Sequence, residues 1–352
     1  MPFDVRDFPI DARRHGQRQA AVALWLFGVC AMVLVMIGLG GATRLSGSGL
    51  SIMEWAPLSG ALPPWSDAEW HRLFALYQQI PQAKLLHPNM TLAGFKGIFW
   101  LEWTHRLWGR LIGAAVFVPL LWLWSTGRIA GALVPRLFGL VLLGGLQGAV
   151  GWFMVASGFF PDSTAVAPAR LVVHLVLALI LYSALLWTAL SAWQPLPCGA
   201  PAWLRRALGA VTVMVALTIV AGGFVAGTHA GFIDNSFPLM EGHLVPPGWA
   251  YLAPWWRNLT QNLAAVQFDH RVMASLTLLV VLAVVAAGAR ARGRMLRGGL
   301  HAMALAVLVQ YSLGVATLLT VVQPALATAH QVVAVLLLTA CLVALHAARR
   351  AG

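Results

Sequence analysis

Eight long apolar segments constrain what this chain can fold into more than any other feature. Each holds about 20 or more mainly apolar residues, the length that a helix needs to cross a bilayer. The 352-residue chain is 60% hydrophobic and only 10% charged, more apolar surface than a water-soluble domain can bury. We therefore predict an all-α integral membrane protein. The predicted transmembrane helices cover residues 20–43, 97–124, 134–156, 168–190, 204–227, 264–289, 296–321 and 325–348.

Arginine clusters predict how these helices are oriented. They lie at both termini and in every second connection, which the positive-inside rule places in the cytoplasm. Both termini are therefore predicted to be cytoplasmic, and loops 44–95, 157–167 and 228–262 to lie outside. The net charge of +12 is explained by these clusters, so nucleic acid is not an expected partner. The clusters are Arg6, Arg13, Arg14 and Arg18, Arg128 and Arg136, Arg205 and Arg206, residues 290–297, and Arg349 and Arg350.

An internal repeat divides the chain into two halves. The segment EWTHRLWGRLIGA from Glu102 aligns without gaps with QFDHRVMASLTLL from Gln267. We predict two pseudo-symmetric four-helix bundles, residues 20–190 and 204–348, with a cytoplasmic arm 1–19 and a cytoplasmic linker 191–203. Further shared features are the glycine pairs Gly40-Gly41 and Gly222-Gly223, the Gln-x-x-x-Gly sequences at Gln147 and Gln310, and a histidine in each fourth helix, His174 and His330.

Four histidines fall at one predicted depth, about 8–12 Å below the outer interface at 1.5 Å rise per residue. They are His105, His174, His270 and His330. Each half supplies two from separate helices, an arrangement that can ligate one haem iron from both sides. A small residue follows each histidine four positions later and leaves room for a flat macrocycle. For any single histidine, a hydrogen bond to a neighbouring helix is the alternative. Zinc or non-haem iron is less expected, because carboxylate and cysteine ligands are scarce nearby.

Charged residues beside these histidines are further candidates. Arg106, Arg110 and Arg271 could pair with haem propionates, and the alternative is that they reach lipid headgroups. Glu102 stands three residues before His105 and shares its helix face, whereas the second half has Gln267 at that position. We therefore expect a reacting haem in the first half and an electron-transfer haem in the second. The alternative for Glu102 is an ion pair with Arg106 or Arg110.

The remaining histidines are predicted to be surface residues, with His71 and His229 the ones to reconsider. Those in outer loops are His71, His87, His229 and His243, and those near the cytoplasmic face are His15, His301 and His346. Among the cysteines, Cys30 and Cys341 fall in apolar segments and Cys198 in a cytoplasmic connection. They offer neither an outer disulfide nor a zinc site.

Several long motifs resemble the heme A synthase family, and the resemblance covers nearly the whole chain. They are GGATRLSGSGLS with EWAPLSG, FKGIFWLEWTHRLWGR, NSFPLM at 235–240, VQFDHR at 266–271 and AHQVVA at 329–334. The resemblance implies that oxidation of the C8 methyl group of haem O, by successive hydroxylations, gives haem A for cytochrome oxidase. Members with a cysteine pair in an outer loop differ from this chain, which is more similar to the proteobacterial and mitochondrial branch.

The same resemblance implies residue roles and partners. His105 and His174 would flank the substrate haem, His270 and His330 would ligate a resident haem b, and Glu102 would be the catalytic carboxylate. Haem O synthase and cytochrome oxidase assembly proteins are the implied partners, and a bacterial inner membrane is the expected location. The oxygen source, the electron acceptor and self-association stay open. The alternatives are a dihaem b-type electron-transfer cytochrome and an assembly factor that only holds haem.

Overall fold

The computed structural model describes residues 10–193 and 198–349, with side chains from Gln19 onward. Eight of its helices are long and apolar enough to cross a membrane, which confirms the predicted number. The described residues contain no β-strand. The α-helices are α1 (Ile10–Leu45), α2 (Asp67–Tyr77), α3 (Pro81–Leu86), α4 (Leu92–Ser125), α5 (Leu133–Ala156), α6 (Pro168–Trp193), α7 (Ala202–Thr228), α8 (Asn258–Gln261), α9 (Leu263–Ala287), α10 (Arg294–Leu319) and α11 (Pro324–Ala348).

Some predicted boundaries differ from those of the structure. Helix α1 already begins at Ile10, so residues 10–19 of the predicted arm are helical. Helix α4 begins at Leu92, because the Thr91 hydroxyl accepts a hydrogen bond from the Gly94 amide at 3.2 Å. His105 therefore lies deeper along its helix than predicted. The side chains of Arg6, Arg13, Arg14 and Arg18, linker residues 194–197 and Arg350 lie outside the described residues.

The helix contacts follow the order of the chain within each half. In the first half α1 contacts α4, α4 contacts α5, α5 contacts α6, and α6 returns to α1. Helices α7, α9, α10 and α11 repeat this order in the second half. The halves meet where α1 contacts α11 and α6 contacts both α7 and α11. Helices α1, α6, α7 and α11 are consequently the inner ones, and α4, α5, α9 and α10 expose more of their apolar surface.

Close packing and a few polar contacts hold the inner helices together. A Cβ on Gly227 of α7 would lie 2.9 Å from the Cα of Pro168 of α6, so the two backbones nearly touch. The Tyr182 and Thr339 hydroxyls join α6 to α11 at 2.7 Å, and the side-chain amide of Gln331 donates to the Ile37 carbonyl at 3.1 Å. Small residues and hydrogen bonds of this kind are how helices associate in a lipid solvent.

The loop between α1 and α4, called the outer loop because the sequence predicts it to lie outside, has a core of its own, which includes Trp70, Tyr77, Phe95 and Phe99. This cluster explains the early start of α4, because the first turns of that helix pack against the loop. Arg72 donates to the carboxylates of both Glu54 and Glu69 at 2.8 Å. The hydrogen bonds from Arg72 hold the pKa of Glu54 below its ordinary value. The loop is thus an ordered cover over the outer end of the first half.

The prediction that His346 is a surface residue is wrong. His346 is fully buried rather than on the surface. Its ring centroid lies 4.9 Å from that of Trp187, and its Nε2 lies 3.3 Å from the Ser191 hydroxyl. The reason is tertiary: the end of α11 packs against the end of α6, which a single-helix pattern does not reveal.

Gly299 allows α10 and α11 to pack closely, and its substitution tests this contact. A Cβ at Gly299 would lie 3.0 Å from the Cβ of Ala344, whereas one at the neighbouring Gly298 would meet nothing within 4 Å. We expect Gly299→Ala to lower the free energy of unfolding by about 1–3 kcal/mol, because overpacking forces the helices apart. Denaturant unfolding in detergent, with Gly298→Ala as the matched control, measures the difference. Equal stability of the two variants would contradict this packing.

Candidate functional site

The four predicted histidines come together as two pairs, one in each half. His105 of α4 and His174 of α6 are close enough to interact electrostatically, and so are His270 of α9 and His330 of α11. All four side chains are largely shielded from solvent. Within the described residues, no group of three or more His, Cys, Asp or Glu side chains could hold a metal ion. The candidate ligands are therefore pairs of imidazoles.

A glycine of the third helix faces the fourth-helix histidine in each half. A Cβ on Gly151 would lie 2.9 Å from Cε1 of His174, and a Cβ on Gly314 would lie 2.8 Å from Cε1 of His330. Cβ atoms do not approach other heavy atoms this closely without displacing them. Both imidazoles thus occupy positions that only a glycine on the adjacent helix leaves free.

The glycine pairs of α1 and α7 have two distinct contacts. The first glycine faces the histidine of the second helix: a Cβ on Gly40 would lie 3.3 Å from Nε2 of His105, and one on Gly222 would lie 3.0 Å from Cε1 of His270. The second glycine of each pair faces the other half. A Cβ there would lie 2.5 Å from Oε1 of Gln331 for Gly41, and 2.8 Å from Cδ2 of Leu175 for Gly223.

Two glutamines contact the fourth-helix histidines, a role that the sequence did not suggest. The Gln147 amide donates to the His174 carbonyl at 3.2 Å and lies 3.3 Å from the His174 Nε2. Gln310 lies 3.3 Å from Nε2 of His330, and its backbone carbonyl is 3.1 Å from Nδ1 of that ring. Donation by the amide to Nε2 requires an unprotonated Nε2, with the proton on Nδ1. The recurring Gln-x-x-x-Gly sequence was the signal that could have identified this pair.

These features fit a bound haem in each half. An unprotonated Nε2 can ligate iron once its lone pair is released from the glutamine amide, and the carbonyl partner on Nδ1 of His330 is the usual way of fixing that tautomer. Two imidazoles from separate helices can approach a flat macrocycle from opposite faces. Both sites also contain buried side-chain atoms without a hydrogen-bond partner. They include Nδ1 of His174 and His270 and Oε1 of Gln147 and Gln310.

Glu102 forms an ion pair with Arg106, which is the alternative that the sequence offers for this residue. The residue is only 3% exposed, and its Oε1 accepts from Nε of Arg106 at 2.6 Å. The same guanidinium donates to the backbone carbonyls of Ile52 and Glu54, both at 2.8 Å. Arg106 therefore fixes the Glu102 carboxylate and the outer loop at once.

The second half contains the same arrangement with a neutral amide in place of the carboxylate. Arg271 donates to the carbonyls of Asp234 at 2.9 Å and Ser236 at 2.8 Å. Gln267 also donates to the Asp234 carbonyl at 2.9 Å, and its own oxygen lies 3.3 Å from Arg271. The arginine that follows each histidine thus binds two carbonyls of an outer loop, and only the first half has a carboxylate beside it.

The three arginines predicted to pair with propionates differ in whether a guanidinium nitrogen lacks an acceptor. All three nitrogens of Arg106 already have acceptors. Arg110 donates to the carbonyls of Ala56 and Pro57, but its second terminal nitrogen is buried without an acceptor. The Nε of Arg271 is likewise buried without an acceptor. Arg110 and Arg271 therefore each retain one guanidinium nitrogen without an acceptor.

Aromatic residues and a cavity lie at the outer end of the first-half site. Arg106 lies over the ring of Trp152 at 5.6 Å, and Trp152 stacks on Trp55 of the loop at 6.2 Å. A cavity of about 400 Å³ between the loop and α4 is lined by residues that include Trp55, Trp103, Arg106 and Arg110. The loop thereby separates the Glu102 carboxylate from the outer solvent.

The sequence left His71 and His229 as residues to reconsider, and both make local contacts in the structure. His71 lies on α2 with its Nδ1 2.8 Å from the Asp67 carbonyl of the same helix. His229 ends α7 in a left-handed conformation, with φ 62°, and its ring lies 6.5 Å from that of Phe232. Both positions are explained by helix geometry and loop packing.

The fold and site define a class: an eight-span helical membrane protein with a half-buried pair of imidazoles in each half. Residues 23–342 match the family model of COX15-CtaA, described as cytochrome oxidase assembly protein, and the chain belongs to this family.

Similar proteins include the Heme A synthase of Granulibacter bethesdensis, 59% identical over 94% of this chain and 88% of the relative. The Heme A synthase of Rhodospirillum centenum is 48% identical over 91% and 86%, and Heme A synthase 2 of Acidiphilium cryptum 47% identical over 91% and 89%.

Arg106 should control the mobility of the outer loop. We expect Arg106→Met to speed amide hydrogen exchange of residues 51–56 at least about tenfold, because hydrogen bonds to a charged donor contribute about 1.5–3 kcal/mol each. Exchange measured by mass spectrometry tests this. The matched control is Arg271→Met, which should speed exchange near residues 234–236 and leave the first loop unchanged. Unaltered exchange at 51–56 in Arg106→Met would refute the anchoring role.

Proposed function

We propose that this protein is a haem A synthase, which oxidises the C8 methyl group of haem O to a formyl group by successive hydroxylations. The product, haem A, serves cytochrome oxidase. The observation that carries the proposal is a difference between the two sites: Glu102 pairs with Arg106 where the second half has the amide of Gln267. A pure electron carrier has no need of this difference. The heme A synthases that resemble the chain over most of its length support the same activity.

The proposal includes a pseudo-symmetric architecture. Residues 20–190 and 204–348 form two related four-helix bundles, joined by a cytoplasmic linker, with both termini in the cytoplasm. The matching distances from Gly151 to His174 and from Gly314 to His330 support this relation. The arginine distribution supports the orientation, and a bacterial inner membrane is the proposed location.

In the second half, His270 and His330 are proposed to hold a resident haem b. When bound, haem b supplies one-electron redox chemistry. The chain's own contribution is to position the two imidazoles, and the backbone carbonyl of Gln310, 3.1 Å from Nδ1 of His330, favours the tautomer whose Nε2 is unprotonated. Arg271, with its unpaired Nε, is the proposed partner of a propionate.

In the first half, His105 and His174 are proposed to flank haem O, the substrate. Glu102 lies on the same helix face as His105, one turn nearer the outer surface. Methyl oxidation releases protons and passes through electron-deficient species, which a fixed carboxylate can stabilise. Arg106 keeps that carboxylate in one orientation, and the loop excludes outer water. The free nitrogen of Arg110 is proposed to receive a propionate.

The proposed partners follow from this chemistry. A haem O synthase supplies the substrate, cytochrome oxidase assembly proteins receive the product, and an electron acceptor takes the reducing equivalents.

Haem analysis in cells tests the activity. The chain is expressed in a host that makes haem O but no haem A, and extracted haems are separated by chromatography with mass detection. We expect haem A or its hydroxylated intermediate with the wild-type chain, and neither with Glu102→Ala or His105→Ala. Glu102→Gln should also abolish turnover while haem content stays normal.

A matched control is Glu69→Gln, which removes an exposed loop carboxylate and should leave haem A formation intact. Purified protein that holds only haem b, with haem O unchanged, would instead indicate an electron-transfer cytochrome or a haem carrier.

Gly314 provides a separate test of the resident haem site. In Gly314→Ala the new Cβ would displace the His330 ring, and overpacking of this size costs about 1–3 kcal/mol, or roughly 5- to 150-fold in affinity. We expect less haem b per protein, measured by the pyridine haemochrome spectrum. Gly209→Ala, where a Cβ meets nothing within 4 Å, is the control. Equal haem b content in both variants would contradict the assignment of His330.

A further inference from the structure

The outer end of α1 carries two buried polar atoms that have no role in the sites described above. Within the described residues, Oγ1 of Thr43 and Nη2 of Arg44 have no hydrogen-bond partner. Thr43 is only 4% exposed, and its Cγ2 lies 3.7 Å from the position of a Cβ on Gly49. Its methyl group rather than its hydroxyl therefore faces the loop that follows α1.

No acidic side chain neutralises Arg44. Among the described residues, the ion pairs are those of Arg72 and Arg106. The charge of Arg44 instead acts on a basic residue, because burial and then this charge lower the pKa of His229 at the end of α7. A half-buried guanidinium at the edge of a membrane is costly without an anion beside it. An anionic ligand would complete this site.

The helix period relates both groups to the first histidine pair. Gly40 of α1 faces His105, since a Cβ on Gly40 would lie 3.3 Å from Nε2 of that ring. Thr43 and Arg44 follow Gly40 by three and four residues, so they lie on the same helix face, about 4.5–6 Å nearer the outer end. An anion that reaches them would belong to a ligand seated beside His105.

The second half has apolar residues at the matching positions. When the glycine pairs of α1 and α7 are aligned, Val225 takes the place of Thr43 and Ala226 takes the place of Arg44. The hydroxyl and the guanidinium are thus features of the first half alone. The group that they receive should therefore be specific to the first-half site.

We propose that Thr43 and Arg44 bind a propionate carboxylate of the substrate haem, an inference that rests on the proposed function. A guanidinium and a hydroxyl both donate to carboxylate oxygens, and the guanidinium also supplies the opposite charge. A haem has two propionates. The first half then offers one cation to each, Arg44 on α1 and Arg110 on α4, and within the described residues both have a buried nitrogen without an acceptor.

Two anchors on different helices would fix the rotation of the macrocycle. A flat ring between His105 and His174 can turn about the axis that joins the two imidazoles, and this rotation decides which ring edge faces Glu102. Carboxylates held from both α1 and α4 leave one orientation. Arg44 thereby selects the methyl group that is oxidised and takes no part in the chemistry.

The test compares haem O with its dimethyl ester, in which both carboxylates are blocked. Each purified full-length protein is titrated in detergent with either compound, and binding is followed by the Soret absorption. Arg44→Gln removes the charge, Arg44→Lys keeps it, and Thr43→Val removes only the hydroxyl. The matched control is Arg257→Gln, because Arg257 is an exposed outer-loop arginine whose Nε donates to Oε1 of Gln261 at 2.9 Å.

We expect Arg44→Gln to bind haem O at least about tenfold more weakly than wild type, because a charge-assisted hydrogen bond is lost. Arg44→Lys and Thr43→Val should weaken binding less. None of these variants should change the affinity for the dimethyl ester more than twofold. Arg257→Gln should behave as wild type with both compounds.

Stability is measured on the same proteins by denaturant unfolding without added haem O. Because Oγ1 of Thr43 and Nη2 of Arg44 have no partner within the described residues, Thr43→Val and Arg44→Gln should not lower the free energy of unfolding. Weaker haem O binding would then reflect the lost contact rather than misfolding.

Several results would overturn the inference. If Arg44→Gln binds haem O within twofold of wild type, the guanidinium receives another anion, and the resident haem b content shows whether it is a carboxylate of that haem or a lipid phosphate. Equal losses for haem O and its ester would show an effect that does not depend on the carboxylate. If wild type itself binds no haem O, the proposed function fails and this inference fails with it.

Discussion

The contact between a half-buried imidazole and a glycine on the adjacent helix is the constraint on which the rest of this structure depends. An imidazole inside a membrane needs both space and a defined orientation, because water is absent to satisfy it. Gly40, Gly151, Gly222 and Gly314 supply the space. Their helices must then approach the histidine helices closely, and this sets the packing of each half. The second glycine of each pair extends the constraint to the boundary between the halves.

On this common framework the two halves differ in the group that stands beside the histidine of the second helix. Between the third and fourth helices, Gln147 and Gln310 each lie 3.3 Å from Nε2 of the fourth-helix histidine. The second helix differs, because the first half has the ion pair of Glu102 and Arg106 and the second half has the amide of Gln267. A site that merely carries electrons benefits from symmetry, whereas a site that binds and oxidises a substrate needs a charged group and room for the substrate. Glu102 gives the first half such a charged group.

The outer loops are part of each site because arginines connect them to the histidine helices. Arg106 and Arg271 each bind two backbone carbonyls of a loop, and a guanidinium is suited to this because its donors diverge in one plane. In the first half the same group also holds Glu102. The orientation of the carboxylate and the position of the cover are thereby coupled through one side chain.

The sequence by itself determined the eight spans, the four histidines and the contrast between Glu102 and Gln267, because hydropathy and residue identity are local properties. Only the tertiary structure decided which glycine faces which imidazole, that Arg106 donates to Glu102 and loop carbonyls, and that His346 is buried. These contacts join residues on different elements. They depend on how neighbouring helices rotate and cross, which the periodicity of a single apolar helix does not specify when every face is apolar.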